Sequence, residues 1–153
     1  MQIHIFNSKS ASVGETLIAL KIQECEEAGM TFEEVIQTVE EYIESQKLYF
    51  VLETLETLKK NGRLKGVKAL VASALNIKPV MGATPEGTIY QIGQARGIKK
   101  ALAKMTEMAA EGIQCGENKI LGIAHCNCRE RAVLLKNALE ERMPVKHIVI
   151  LDT

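Results

Sequence analysis

Apolar residues alternate from Gln2 to Phe6, with Ile3 and Ile5 on one side and His4 and Phe6 on the other, a period of two that predicts a strand. The period then lengthens. Val13, Leu17, Leu20 and Ala28 recur at helical spacing and predict a helix that stops at Gly29, its start capped by a side-chain oxygen from Asn7-Ser8-Lys9-Ser10-Ala11-Ser12. Thr31-Phe32-Glu33-Glu34 has the form of a capping box: the Thr31 hydroxyl accepts from the amide of Glu34, and the Glu34 carboxylate accepts from the amide of Thr31. The helix it opens turns Phe32, Val35, Ile36, Val39 and Ile43 inward and its glutamates outward.

Leu48 to Leu52 is an unbroken run of apolar, β-favouring residues, which predicts a central strand covered on both faces. Thr54 to Lys60 follows as a short helix with Leu55 and Leu58 inward, closed by Asn61-Gly62. Leu64, Val67, Leu70, Val71 and Leu75 predict a further helix. Ile77 to Met81 is the next strand, where Pro79 points to an edge, a bulge or a strand end. Pro85-Glu86-Gly87 turns the chain so that Thr88 to Ile92 returns as a hairpin partner. A helix from Gly97 to Gly112 buries Ala101, Leu102, Met105, Met108 and Ala109. Lys119 to Ala124, Cys128 to Met143 and Val145 to Leu151 then read as strand, helix and strand, a parallel pair with a right-handed crossover.

The fold class expected is α/β (α+β): a mixed β-sheet of about six strands with helices packed on it, in one domain over residues 1–153. A strand at each end with no closing element adds the expectation that this domain is truncated from a larger, two-domain fold. The composition agrees with a globular domain, at 46% hydrophobic and 25% charged residues. No apolar run reaches the roughly 18 residues of a membrane span. Cys25, Cys115, Cys126 and Cys128 read as free thiols, and a reducing, cytoplasmic setting is expected.

The formal net charge of zero hides a polarised chain. Ten Lys or Arg and a single acid, Glu86, lie between Lys59 and Lys104, whereas eleven Glu and two Lys lie between Glu15 and Leu58. The glutamates sit on helical faces and read as solubilising. The basic residues flank loops, at Asn61-Gly62-Arg63 and Ala95-Arg96-Gly97, where guanidinium groups suit a carboxylate, a phosphate or an acidic protein surface. Lys99 and Lys100 follow one turn into the helix, whose free amides also favour an anion. Zero net charge and few aromatics argue against a nucleic-acid partner.

Neither a Walker loop nor G-x-G-x-x-G is present. His125-Cys126-Asn127-Cys128, at the end of a strand, is the best metal or nucleophile candidate. A zinc site there needs His147 or Cys115 to complete it. A small cysteine-dependent enzyme needs a partner group for Cys126 or Cys128. His4 and His147 lie in strands and read as packed or edge histidines.

Four blocks together resemble the DegV family of bacterial fatty-acid-binding proteins: Asn7 to Gly14, Leu52 to Leu64, Leu75 to Val80, and Ala95 to Leu102. The resemblance implies a two-domain protein of which this chain is most of the second, mixed α/β domain. It implies a non-enzymatic binding subunit without cofactor. Such a subunit holds a long-chain fatty acid and presents its carboxylate to a partner resembling dihydroxyacetone kinase, which makes the acyl-phosphate. In the family the carboxylate is held by hydroxyl residues of the first domain and by a histidine in a His-Thr-Gly-Pro-Gly-like motif, neither of which occurs here. By the same resemblance Arg63 and Arg96 are the partner-facing arginines; Leu70, Ala74 and Ile77 are taken as candidates for the lining of the lipid tail, with ordinary core residues as the alternative. The family's Gly-Gly-Arg-Ile is Asn61-Gly62-Arg63-Leu64 here, a change expected to be tolerated because Asn accepts a left-handed conformation. Its Arg-Gly-Arg-Lys-Lys is Arg96-Gly97-Ile98-Lys99-Lys100, one charge fewer. Apolar surface left by a missing domain leads to the expectation of a homodimer through the end strands.

Overall fold

Two helices open the chain in the computed structural model, which describes residues 2–63, 76–112 and 116–153, without side chains at 116–118. α1 (Val13–Glu27) and α2 (Phe32–Ser45) pack against each other through Ile18, Cys25, Val39 and Ile43, with Phe6, Ile22, Val35 and Tyr42 around them. α1 ends as its glycine predicts. Gly29 takes φ +72°, its amide bonds to Glu26 O at 2.9 Å, and Met30 N bonds to Cys25 O at 3.2 Å, the paired bonds of a Schellman cap. The capping box of α2 forms in both directions, with Thr31 N to the Glu34 carboxylate at 2.8 Å and Glu34 N to Thr31 Oγ1 at 3.4 Å.

Two expectations for this region fail. Gln2 to Phe6 forms no strand: Ile3 and Ile5 are 71% and 87% exposed, while Gln2 and His4 reach Glu33 and Glu40 of α2. An alternating pattern makes a strand only where a sheet edge receives it, and here the segment lies beside a helix. The start of α1 has no side-chain cap either, because Ser12 sits at φ +56° and its carbonyl, not its hydroxyl, engages the first turn. The buried face of α1 is also rotated from the predicted one. Ile18 and Cys25 are buried, while Leu20 is 38% exposed and Ala28 is exposed.

Among the described residues the strands form two sheets rather than one of six. β1 (Tyr49–Val51), β2 (Ile77–Ala83) and β3 (Ile89–Arg96) make an antiparallel sheet in the order β1-β2-β3. β1 is therefore an edge of only three residues, half-buried throughout, and not the central strand its apolar run predicts. β2 takes the centre, with Pro79, Val80, Met81 and Gly82 all buried. Pro79 lies one residue outside the stretch paired with β1, and the register against β3 shifts at Val80/Met81, so the bulge comes next to the proline. Between β1 and β2 runs α3 (Glu56–Lys60), with Leu55 and Leu58 half-buried. The helix expected from Leu64 to Leu75 lies outside the described residues.

β4 (Gly116–His125) and β5 (Val145–Asp152) pair in parallel, linked by α5 (Arg129–Glu140), as the switch from period two to helical spacing and back predicts. α4 (Ile98–Gly112) serves both sheets. Ala101 and Met105 pack on Val80 of the antiparallel sheet, and Ala109 joins Ile123, Ala132, Leu139 and Met143 in the core of the parallel pair. Tyr49 touches both clusters, its hydroxyl lying where a side chain at Gly112 would collide with it. α1 reaches this half as well: Val13 and Leu17 press on the bare backbone of Gly122 in β4. None of the described helices is long and apolar enough to cross a membrane.

Candidate functional site

The two arginines singled out by the sequence stand on sharply defined turns. After α3, Asn61 caps the helix with φ −83°, Gly62 takes φ +66°, Gly62 N bonds to Lys59 O at 3.1 Å, and Arg63 N bonds to Leu58 O at 2.9 Å. This second Schellman cap leaves Arg63 exposed immediately beyond the glycine. The left-handed residue is thus Gly62, and Asn61 stays in a conformation open to any residue. An asparagine at position 61 is tolerated because nothing unusual is asked of it, not because asparagine tolerates the left-handed region.

Arg96 ends β3, paired in register with Ile77 at the start of β2. Gly97, at φ +80°, turns the chain into α4, and its amide bonds to Asn76 O at 2.7 Å, locking the turn to the neighbouring strand. Arg96, Lys99 and Lys100 are exposed, so this corner presents cations to solvent on a fixed backbone. Ile77 is 37% exposed at the same corner. Leu70 and Ala74 lie outside the described residues.

The second candidate, His125-Cys126-Asn127-Cys128, occupies the loop between the carboxyl end of β4 and the start of α5. The His125 side chain is 4% exposed; its Nδ1 lies 3.3 Å from Asp152 Oδ1, and neither ring nitrogen has an aligned hydrogen bond among the described residues. Asp152 is its register partner on β5, and Thr153 N closes the edge by donating to His125 O at 2.9 Å. Cys126 is exposed, Cys128 is half-buried at the cap of α5, and Cys25 is fully buried between α1 and α2.

The ring of His125 faces a carboxylate rather than a thiol. His147 does not complete a metal site, since it pairs with Ile120, five residues from His125 along β4, or about 16 Å. Cys115 lies outside the described residues, among which no group of three potential metal ligands converges.

A third feature carries no signal in the sequence. Glu53, after β1, accepts from Arg131 Nη1 of α5 at 2.5 Å, and its other carboxylate oxygen lies 3.2 Å from Lys78 Nζ of β2. The Arg131 hydrogen bond, followed by that of Lys78, holds the Glu53 carboxyl below its ordinary value. Lys78 also donates to Glu53 O at 2.5 Å. On the other side, Glu24 of α1 meets Lys21 at 3.0 Å and Lys146 of β5 at 3.5 Å, and Lys21 chiefly lowers its carboxyl.

The DegV family model, described as "Uncharacterised protein, DegV family", matches residues 1–153. The chain belongs to the DegV family. It is similar to DegV domain-containing proteins of Clostridium perfringens, at 29% identity over 148 residues, and of Streptococcus pneumoniae, at 33% over 153 residues; these alignments cover 97% and 99% of the chain but 51% and 53% of those relatives. The chain thus spans about half the length of the curated relatives it matches.

Among solved structures, a DegV family protein of Ruminococcus gnavus refined with vaccenic acid has 62% identity and a TM-score of 0.95, over 99% of this chain and 54% of that one. The fatty acid kinase (Fak) B3 protein of Streptococcus pneumoniae, loaded with linoleic acid, has 29% identity and a TM-score of 0.86, over 99% of this chain and 53% of that one. A DegV protein of Eubacterium eligens loaded with heptadecanoic acid has 26% identity and a TM-score of 0.85, over 99% and 54%. The resemblance and the mixed α/β class drawn from the sequence are both borne out by these DegV relatives.

Proposed function

We propose that this chain is part of a lipid-binding protein of the DegV type that holds a long-chain fatty acid and presents its carboxylate to a fatty acid kinase. The observation that carries the reading is the 62% identity, at a TM-score of 0.95, to a DegV protein refined with vaccenic acid. The similarity to the fatty acid kinase (Fak) B3 protein of Streptococcus pneumoniae supports the kinase as partner. In this reading the ATP chemistry belongs to the kinase, and Arg63 and Arg96 form the docking face on their two rigid turns. The tail-lining role of Leu70, Ala74 and Ile77 belongs to the same proposal. Domain organisation follows the same logic: residues 1–153 are one domain of a two-domain protein. Self-association of the isolated chain uses its two end segments, Gln2–Phe6, where Ile3 and Ile5 stand exposed, and β5.

Calorimetric titration of long-chain fatty acids into this chain, and into a polypeptide that adds the half present in its relatives, tests the reading. The longer polypeptide is expected to bind. Arg63→Ala with Arg96→Ala is expected to leave lipid binding and folding intact while stopping use by the kinase. Absence of binding in both polypeptides would refute the lipid role, and loss of fold in the double variant would make the arginines structural. Light scattering that finds the isolated chain strictly monomeric would remove the self-association.

A further inference from the structure

Two of the thiols are separated by one residue on an accessible loop. Cys126 is exposed, Cys128 is half-buried, and the latter caps α5 without a side-chain hydrogen bond. Residues i and i+2 are at most about 7 Å apart in a fully extended chain. Asn127 takes φ +49°, in the left-handed region, so the chain turns between the two cysteines instead of running straight, the direction in which their Cα separation approaches the roughly 4.4–6.8 Å of a disulfide. Beside the loop, the buried His125 ring faces Asp152 and does not occupy the thiols, and no converging ligand set among the described residues commits them to a metal. Cys25, by contrast, is sealed between α1 and α2.

We propose that Cys126 and Cys128 form a reversible dithiol–disulfide site at the head of α5, whose co-reactant is a low-molecular-weight disulfide. The thiolate of exposed Cys126 attacks one sulfur of the small disulfide, breaking its S–S bond and releasing one small thiol. The Cys128 thiolate then attacks the mixed disulfide at Cys126, forming the Cys126–Cys128 bond and releasing the second small thiol. The protein is oxidised by two electrons, the co-reactant is reduced by two, and the two thiol protons leave on the released thiols. A disulfide exposed and closing so small a ring is the readily reduced kind, so the site responds to the ambient thiol balance instead of acting as a permanent staple. The change reaches α5 directly, because Cys128 O accepts from Arg131 N at 3.0 Å and from Ala132 N at 3.3 Å.

The experiment is treatment of the folded chain with oxidised glutathione, followed by trypsin and mass spectrometry. Cleavage after Lys119 and Arg129 places Cys126 and Cys128 together in the peptide Ile120–Arg129, away from Cys25 and Cys115. The expected result is loss of two hydrogens from that peptide, reversed by excess reduced glutathione. Cys126→Ser and Cys128→Ser should each abolish that species and leave a glutathione adduct on the remaining thiol. A wild-type peptide that carries only glutathione adducts, that does not change, or that stays oxidised in excess reduced glutathione would overturn the proposal.

Discussion

Glu53 and Arg131, 78 residues apart in sequence, meet at 2.5 Å and tie the loop after β1 to the first turn of α5. The pair is exposed, so its contribution is under about 1 kcal/mol. Its sign with pH is fixed. Arg131, and then Lys78, hold the Glu53 carboxyl below its ordinary value of 4.5, so the stabilisation is present above that value and disappears as pH falls through the lower, folded one. Glu53→Gln should lower stability slightly at neutral pH and progressively less as pH falls below the ordinary carboxyl range, as urea denaturation across that range will measure.

The capping box of α2 gives a larger effect from a single hydroxyl. Thr31→Ala removes the acceptor of the Glu34 amide and should cost about 1 kcal/mol. The Glu34 carboxyl is held low chiefly by the Thr31 amide, so the reciprocal half of the box also weakens as pH falls through its folded value. Thermal melts of the variant at neutral and acidic pH report both halves.

Gly122 is the point where α1 touches β4. A Cβ there would stand 2.4 Å from Val13 Cγ2 and 3.1 Å from Leu17 Cδ1. Gly122→Ala is expected to push α1 outward and cost about 1–3 kcal/mol, the usual penalty of overpacking. Chemical denaturation measures it, and a neutral result would mean that α1 is not seated on the sheet.

The turn that presents Arg63 separates two residues that look interchangeable in the sequence. Gly62→Ala forces a side chain into φ +66° and should destabilise by about 1 kcal/mol. Asn61→Ala, at φ −83°, should change stability by no more than about 0.5 kcal/mol. Comparison of their denaturation midpoints decides which residue carries the turn.

These contrasts mark how far the sequence could be read. The stop of α1 at Gly29, the capping box at Thr31 and the β4-α5-β5 unit were legible because each rests on local chemistry or a clean change of period. The buried face of α1 was not, since Val13, Leu17, Ile18, Leu20, Ile22 and Cys25 surround much of the helix and leave its stripe undecided. The strand expected at Gln2–Phe6 and the central place expected of Leu48–Leu52, which does form β1 but at an edge, fail for a related reason: alternation and apolarity specify a strand's faces but not its neighbours. At the candidate site, loop chemistry located Arg63 and Arg96. The contacts of Glu53 with Arg131 and Lys78, and of His125 with Asp152, arise from tertiary register and leave no mark on spacing.

Among the described residues the antiparallel and parallel sheets share no ladder hydrogen bonds, and α4 alone has buried residues in the cores of both. Fifteen residues of helix make a beam about 22 Å long, anchored at one end beside the Arg96 turn and at the other beneath Tyr49. Neither sheet can lose its floor without the other losing its own. Amide protons of β2 and β4 therefore belong to one opening event, and hydrogen exchange should assign them a common free energy, although no strand joins them.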